Sequence, residues 1–257
     1  MRIFITGAST GIGMSLAKKY LSEGHYVGVC ARDKNKFVSS YADVTSEDKQ
    51  RLSFFEVNVE NRDKIVSAIN EFAQSGLDII IANAGISMGT KSPIPSFDRA
   101  REVINVNVIG VLNTFEAALP FFIKQNFGQL VAIASLAGFA GFPGTAAYSA
   151  SKSAVITLCE TFSLDLMRFG ITTTCICPGF VDTPLTQKNP HTMPFLIDLQ
   201  MGTKLIKKAI DGKKEYYAFP WQMHFIAAFL RLLPRKCYRR LMRFFKFDFS
   251  KKKENIL

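Results

Sequence analysis

The sequence predicts an α/β fold, a doubly wound parallel sheet with helices on both faces, followed by a C-terminal amphipathic helical tail. Three observations lead there: short β-rich runs recur along residues 1–220, helix-length amphipathic segments separate them, and a glycine-rich turn follows the first run. Strands covered on both faces read as continuous apolar runs, and parallel strands need helical crossovers, so the alternation selects a parallel sheet between two helical layers.

The strands are expected in RIFIT (2–6), YVGVCA (26–31), SFFEVNV (53–59), LDIIIAN (77–83), QLVAIAS (129–135), ITTTCIC (171–177) and EYYAF (215–219). Between the first two, Ile12, Leu16, Ala17, Tyr20 and Leu21 fall at helical spacing within 12–23. Ile65, Val66, Ile69 and Phe72 do the same within 62–75. A long helix opens at AAYSASK, residues 146–152. No repeat or low-complexity linker interrupts the alternation, which gives one domain over 1–220 and a tail over 221–257.

Composition agrees with a folded body: 257 residues, 48% hydrophobic and 21% charged. Residues 1–203 hold 17 Lys+Arg against 17 Asp+Glu, while residues 204–257 hold 15 against 4, so the net charge of +11 sits in the last fifth of the chain. Such an appendage suits an acidic surface. The five cysteines, Cys30, Cys159, Cys175, Cys177 and Cys237, show no CxxC pair and no histidines at zinc spacing; reduced, buried thiols and no metal are expected. Met1–Ile5 enters the first strand without an apolar leader. The tail's longest apolar run, Phe225–Leu233, is broken by Arg231 and ended by Pro234, far short of the ~20 residues of a spanning helix. A cytoplasmic protein is the expectation.

The first strand ends in TGASTGIG, residues 6–13, which places Gly7, Gly11 and Gly13 in a strand-to-helix turn together with Ser9 and Ile12. Glycine there lets the backbone approach a pyrophosphate facing the helix N-terminus. Any tight turn of this kind could use glycine, so the motif alone leaves both readings open. At the end of the second strand a dinucleotide site reads the adenosine ribose, with a carboxylate for a 2′-hydroxyl or a cation for a 2′-phosphate. Arg32 stands there and favours NADP(H), with NAD(H) possible; in the rival reading Asp33 holds the ribose or caps the next helix.

Tyr148 and Lys152 lie four residues apart and share a helix face. A phenol with a pKa of ~10 becomes a useful acid/base near neutral pH when a cation stabilises its phenolate. An isolated YxxxK would be an ordinary exposed pair. This one follows, in order, TGxxxGxG at 6–13, NAG at 83–85, NVIG at 107–110 and Ser135 after the fifth strand, and precedes PG at 178–179. In these six motifs residues 1 to about 220 resemble the short-chain dehydrogenase/reductases, in the YxxxK-bearing subgroup of roughly 250 residues. The resemblance implies a Rossmann fold and hydride transfer between a nicotinamide and a carbonyl or alcohol. It implies Tyr148 as general acid/base, Lys152 lowering its pKa and binding the nicotinamide ribose, and Ser135 bonded to the substrate oxygen. Asn107 would sit at a helix irregularity and hold a water leading from Lys152 to solvent. It counts Tyr148 and Lys152 also among the cofactor contacts, with Asn83, Ala84 and Gly85 on the adenosine side and Pro178, Gly179 and Thr183 over the nicotinamide. Where many members have Asp-Val near the adenine, this chain has Asn58-Val59, whose amide oxygen could still accept from the exocyclic amine.

Substrate surfaces are expected from the loops 86–95, 136–144 and roughly 180–203, where Leu136, Phe139, Phe142, Leu185, Met193, Phe195 and Leu196 either wall an apolar pocket or pack the loops together. In the tail, Cys237, Tyr238, Leu241, Met242, Phe244 and Phe245 fall along one side of a helix over 235–247, and Arg235, Lys236, Arg239, Arg240, Arg243 and Lys246 along the other. The preceding WQMHFIAAFLRLL (221–233) adds a second amphipathic segment with an interfacial Trp221. A cationic amphipathic helix of this kind lies on an anionic membrane surface; docking on the body or a sister subunit is the rival reading, and nucleic acid is disfavoured by the neutral body. Some bacterial reductases of long-chain aldehydes or lipid-like ketones have a similar FPW…LLP ending. The family resemblance implies a homodimer through helices near 97–125 and 148–169. The reading is thus an NADPH-dependent reductase of an apolar carbonyl compound at a membrane; the alternative is a non-catalytic dinucleotide-binding sensor acting through its tail.

Overall fold

The computed structural model describes residues 1–87, 96–188 and 192–244. Parts of the predicted substrate loops and of the tail, including Phe245 and Lys246, lie outside the described residues. The strands are β1 (Arg2–Thr6), β2 (Tyr26–Ala31), β3 (Leu52–Glu56), β4 (Ile79–Ala82), β5 (Gly128–Ile133), β6 (Ile171–Pro178) and β7 (Tyr216–Phe219). They form one seven-stranded sheet in the order 3-2-1-4-5-6-7, and every neighbouring pair runs parallel. All seven predicted runs are strands; the third and fourth end before Asn58 and Asn83, which leaves those two side chains in the loops beyond the sheet.

Because successive strand residues point to opposite faces, the two apolar layers can be traced along β1. Ile3 and Ile5 join one core with Leu16 and Leu21 of α1 (Gly11–Ser22) and Ile206 and Ile210 of α8 (Leu199–Asp211). Phe4 joins the other, with Ile65 and Ile69 of α4 (Arg62–Phe72), Phe115 and Phe122 of α6 (Gly110–Gln125) and Val155 and Ile156 of α7 (Ala146–Leu166). These side chains are essentially without solvent exposure, and burial of each Ile, Leu or Phe stabilises by ~1.5–3 kcal/mol. Two short helices, α2 (Lys34–Ser40) and α3 (Ser46–Gln50), connect β2 to β3.

α5 (Phe97–Ile104) runs through a π-helical turn, Asn105–Ile109, into α6. This continuous stretch is long and apolar enough to cross a bilayer by length and composition, yet its apolar window is mostly buried and packs against α4 and α7, as a core helix does. After β7 come α9 (Trp221–Leu232) and α10 (Arg235–Phe244). Cys30, Cys159, Cys175 and Cys177 are buried as expected, but Cys237 is exposed because it faces solvent on α10.

The strand order reverses between β1 and β4, since the chain runs outward from β1 through β2 to β3 and then returns to the other side of β1. The loops at the C-terminal ends of these strands diverge there and open a crevice.

Candidate active site

The crevice is a cleft of ≈ 320 Å³, within the usual range for small-molecule sites of ~300–1,000 Å³. One wall between its two ends is built from the β1–α1 turn. Gly7 has φ +67°, and a Cβ on it would lie 2.6 Å from Ala84 Cα, so the turn closes against the end of β4 only with glycine at this position. Gly7, Ser9, Gly11 and Ile12 all line the cleft. Thr10 sits at the N-cap of α1 without a side-chain cap, and the first turn carries no acid. The amide-rich, electropositive end of α1 therefore faces the cleft. Gly13 does not line it: a Cβ there would meet Asn83 Nδ2 at 2.4 Å, so this glycine serves the packing of α1 against β4. Asn83 lines the cleft and pins the turn, its Nδ2 donating to Thr6 O at 2.9 Å and Gly7 O at 3.1 Å.

At the far end Arg32 lines the cleft at the end of β2, and Asp33 does not turn in. The Asp33 carboxylate caps α2, accepting from Lys36 N at 2.9 Å. The cap matches one branch of the rival reading and excludes Asp33 from the ribose in this structure, while Arg32 still lines the cleft; it also sets Lys36 in the first turn of α2, where Lys36 joins Arg32 on the cleft wall. Lys36 escaped the sequence reading; its spacing of four from Arg32 was the available signal. Asn58 and Val59 also line this end. The Asn58 amide is engaged locally, however, with its oxygen accepting from Glu60 N at 3.2 Å and its nitrogen donating to Glu60 Oε2 at 2.7 Å.

The opposite end gathers Ser135, Tyr148 and Lys152 with Ala84, Gly85, Pro178, Gly179 and Thr183. Ser135 follows β5 and caps a single 3-10 turn, Leu136–Gly138; its Oγ accepts from Ala137 N at 3.1 Å and donates to Pro178 O at 3.4 Å. Tyr148 enters from the first turn of α7 and Lys152 from the next. Lys152 Nζ donates to Ile133 O at 2.8 Å and lies 5.8 Å from the centre of the Tyr148 ring. A Cβ on Gly85 would come within 3.5 Å of that ammonium, so the glycine keeps the approach to it open. Burial raises the pKa of the Tyr148 phenol above its ordinary value, and a hydrogen bond with Ser135 acts against that rise. Burial pushes Lys152 down to about 8, with the thiols of Cys177 and Cys175 acting in the opposite direction. Both groups thus prefer their neutral forms more strongly than they would in water, and two hydroxyls and an amine converge on one pocket.

Asn107 lies in the π-helical turn, fully buried, and is not part of the cleft wall. Its oxygen accepts from Ile86 N at 2.8 Å, and its nitrogen donates to Ile86 O at 2.9 Å and Ser151 Oγ at 3.0 Å. The side chain ties the segment after β4 to α7 one residue before Lys152. Both amide hydrogens are occupied by protein acceptors, so the side chain positions Ile86 and α7; the helix irregularity expected at Asn107 is this π-helical turn. Thr183 is held by Thr186, whose hydroxyl accepts from Thr183 N at 2.9 Å; Thr186 and Lys188 line the cleft as well and were not singled out from the sequence.

Of the seven apolar residues expected to wall a substrate pocket, Leu185 lines the cleft. Leu136 folds back from its 3-10 turn into the core, and Phe139 packs against Tyr216 and His224 with ring centres 6.4 and 5.8 Å away. Phe195 and Leu196 remain about half exposed outside the cleft, while Phe142 and Met193 are half-buried in their loops.

Residues 1–194 match the family model for short chain dehydrogenases. An uncharacterised oxidoreductase of Myxococcus xanthus is 34% identical over 236 residues, covering 91% of this chain and 93% of that protein. One from Mycobacterium tuberculosis is 30% identical over 224 residues, covering 86% and 88%. In fold the chain is similar to a short chain dehydrogenase of Burkholderia cenocepacia in complex with NADP, with a TM-score of 0.79 at 24% identity over 93% of this chain and 96% of that one. It is also similar to a short-chain dehydrogenase of Sphingobium yanoikuyae in complex with NADPH, with a TM-score of 0.77 at 20% identity over 100% and 98%. Three quarters of the sequence fitting one family model, and two curated relatives aligned along nearly their whole length, lead to one conclusion: the chain belongs to the short-chain dehydrogenase family of oxidoreductases.

Proposed function

We propose that this protein is an NADP(H)-dependent oxidoreductase that interconverts a carbonyl and an alcohol on an apolar small molecule, with Tyr148 as general acid/base. The observation that carries this reading is the convergence of Ser135, Tyr148 and Lys152 at one end of a cleft whose other end presents Arg32 and Lys36. The uncapped N-terminus of α1 and the glycine turn fit a pyrophosphate between those ends, and two cations fit a ribose 2′-phosphate. The Burkholderia and Sphingobium neighbours were solved with NADP and NADPH, which supports the same choice here.

When bound, the nicotinamide supplies the hydride that joins the carbonyl carbon. The hydroxyls of Ser135 and Tyr148 hold the carbonyl oxygen, where negative charge develops as the carbon is reduced. Tyr148 gives its phenolic proton to that oxygen. Lys152, fixed by the Ile133 carbonyl beside the ring, stabilises in its protonated form the phenolate left behind, and the phenolate regains its proton from solvent before the next turnover. In the reverse direction Tyr148 accepts the alcohol proton. A sensor without chemistry would need none of these groups in register, which sets aside the non-catalytic alternative.

The apolar substrate is supported by Ile86, Leu185 and Val181 along the reactive end of the cleft. A homodimer through α5, α6 and α7 is supported by the exposed Phe97, Ile109, Ile123, Leu164 and Met167 on those elements and their flanks. A cytoplasmic enzyme attached to an anionic membrane through residues 221–257 is supported by the charge of that segment. The test is NADPH oxidation, with NADH in parallel, across aldehydes and ketones of increasing acyl length. A rate that climbs with chain length and prefers NADPH supports the reading; equal rates on short polar carbonyls would remove the apolar substrate from it.

A further inference from the structure

The two tail helices present their apolar residues in opposite ways. α10 turns its apolar side toward the body: Tyr238, Leu241 and Met242 are half-buried, and the Tyr238 hydroxyl donates to Gly141 O in the loop between Ser135 and α7. α9 has two apolar faces. Its inner face packs against Gly179, which lines the reactive end of the cleft: Met223 Sδ lies 2.9 Å from where a Gly179 Cβ would stand, and Ala227 and Leu230 are buried. Its outer face carries Trp221, Phe225, Phe229 and Leu232 at steps of four, four and three residues, with exposures of 67, 70, 60 and 83%. A stripe of this size at helical spacing, facing outward, marks a docking surface.

Charge identifies the occupant. Residues 221–244 hold six Lys+Arg and no Asp or Glu. Five of the six, Arg235, Lys236, Arg239, Arg240 and Arg243, are exposed on α10, immediately after the stripe. A second copy of this face would set cations against cations. Lipid offers acyl chains for the stripe and anionic headgroups for the cations, and an indole at the start of the stripe suits the interface between them.

We infer that the outer face of α9, through Trp221, Phe225, Phe229 and Leu232, is the surface that enters the headgroup region of an anionic bilayer, with the cations of α10 at the headgroups. This rests on the membrane reading above and assigns the inserting face to the outer side of α9, which the sequence offered only as a second amphipathic segment beside the apolar side of α10. It also sets the orientation: one helix diameter, about 10–12 Å, separates the bilayer from Gly179, so an apolar substrate dissolved in the membrane has a short route to Ser135 and Tyr148.

Trp221 is the single tryptophan of the chain, so intrinsic fluorescence reports on this face alone. The full-length protein is mixed with vesicles of phosphatidylcholine and phosphatidylserine, and emission is followed together with co-sedimentation. The inference predicts a shift of emission to shorter wavelength and quenching by phospholipids brominated on the acyl chain. It also predicts that Phe225→Glu with Phe229→Glu weakens vesicle binding roughly tenfold or more, with NADPH binding in solution unchanged as the check on folding. Co-sedimentation with no change at Trp221, and with the double variant bound as tightly as wild type, would overturn the α9 assignment while leaving membrane association standing. Absence of co-sedimentation overturns both. A lipid-independent emission shift that grows with protein concentration, accompanied by a larger species that the double variant abolishes, would assign the face to a second copy and overturn the inference.

Discussion

Tyr148 illustrates how much a single residue's surroundings determine. Its phenol is raised by burial and lowered by Ser135, so the two act against each other on the group that gives up a proton in the proposed reaction. That reaction requires the protonated phenol and is lost as pH rises through its pKa. Removing the Ser135 hydroxyl removes the lowering influence, and the alkaline limit of reduction by Ser135→Ala is expected at higher pH than in wild type. Its kcat is expected to fall by ~10²–10³ from the loss of one donor to the developing oxyanion; a pH–rate profile of both proteins checks the direction. At the other end of the cleft, Arg32→Ala with Lys36→Ala should raise KM for NADPH by roughly 10–100-fold, the loss of charge-assisted hydrogen bonds worth ~1.5–3 kcal/mol, and leave KM for NADH nearly unchanged. Initial rates with the two cofactors decide it.

Residue identity was legible in the sequence where spacing fixes geometry. Gly7 and the Tyr148–Lys152 pair needed only the strand-to-helix turn and the helical repeat. Lys36 was not legible, because its place on the cleft wall depends on Asp33 turning away to cap α2. Leu136 was misassigned for a similar reason: Ser135 caps a 3-10 turn that folds the next side chain into the core.

At the scale of elements, the π-helical turn between α5 and α6 matters most. It presents Asn107 to both the Ile86 backbone and Ser151, and so ties the end of β4 to the catalytic stretch of α7. Asn107→Ala would remove the partners of the half-buried Ile86 amide and carbonyl, a cost of ~1–3 kcal/mol in all, and calorimetry should register a loss of a few degrees in Tm. A fall in kcat larger than the change in KM would show that the tie positions Lys152 as well as holding the fold. The family resemblance implied both a helix near 97–125 and an irregularity at Asn107, and the structure has a π-helical turn there. Residue spacing by itself gave neither, since no residue pattern distinguishes a π-turn from the α-helix around it. The tail shows the same limit: helical spacing made both faces of α10 visible, but which face docks depends on the Gly141 carbonyl, 97 residues away in sequence.

At the scale of the whole molecule, stability carries the signature of the buried Lys152. Burial pushes its pKa down to about 8 in the fold from the ordinary 10.5, so between these pH values the unfolded chain binds more protons. Stability attributable to this group therefore rises with pH across that window, by ~3 kcal/mol in total. Above pH 10 the sign reverses for other groups, because the buried phenols of Tyr20 and Tyr41 are raised, keep their protons in the fold and lose them on unfolding. Urea titrations of wild type and Lys152→Met between pH 7 and 10 isolate the lysine: the wild type should gain stability relative to the variant as pH rises, and parallel curves would contradict the depressed pKa.

The central claim is that Tyr148 transfers the proton in a reaction whose cofactor sits in the cleft between β1 and β4. The most direct measurement pairs turnover with cofactor binding in Tyr148→Phe, using a long-chain aldehyde for the first and NADPH fluorescence for the second. The account predicts that NADPH binds as in wild type and that turnover falls by at least ~10². Turnover close to wild type in a variant that binds NADPH normally would contradict it.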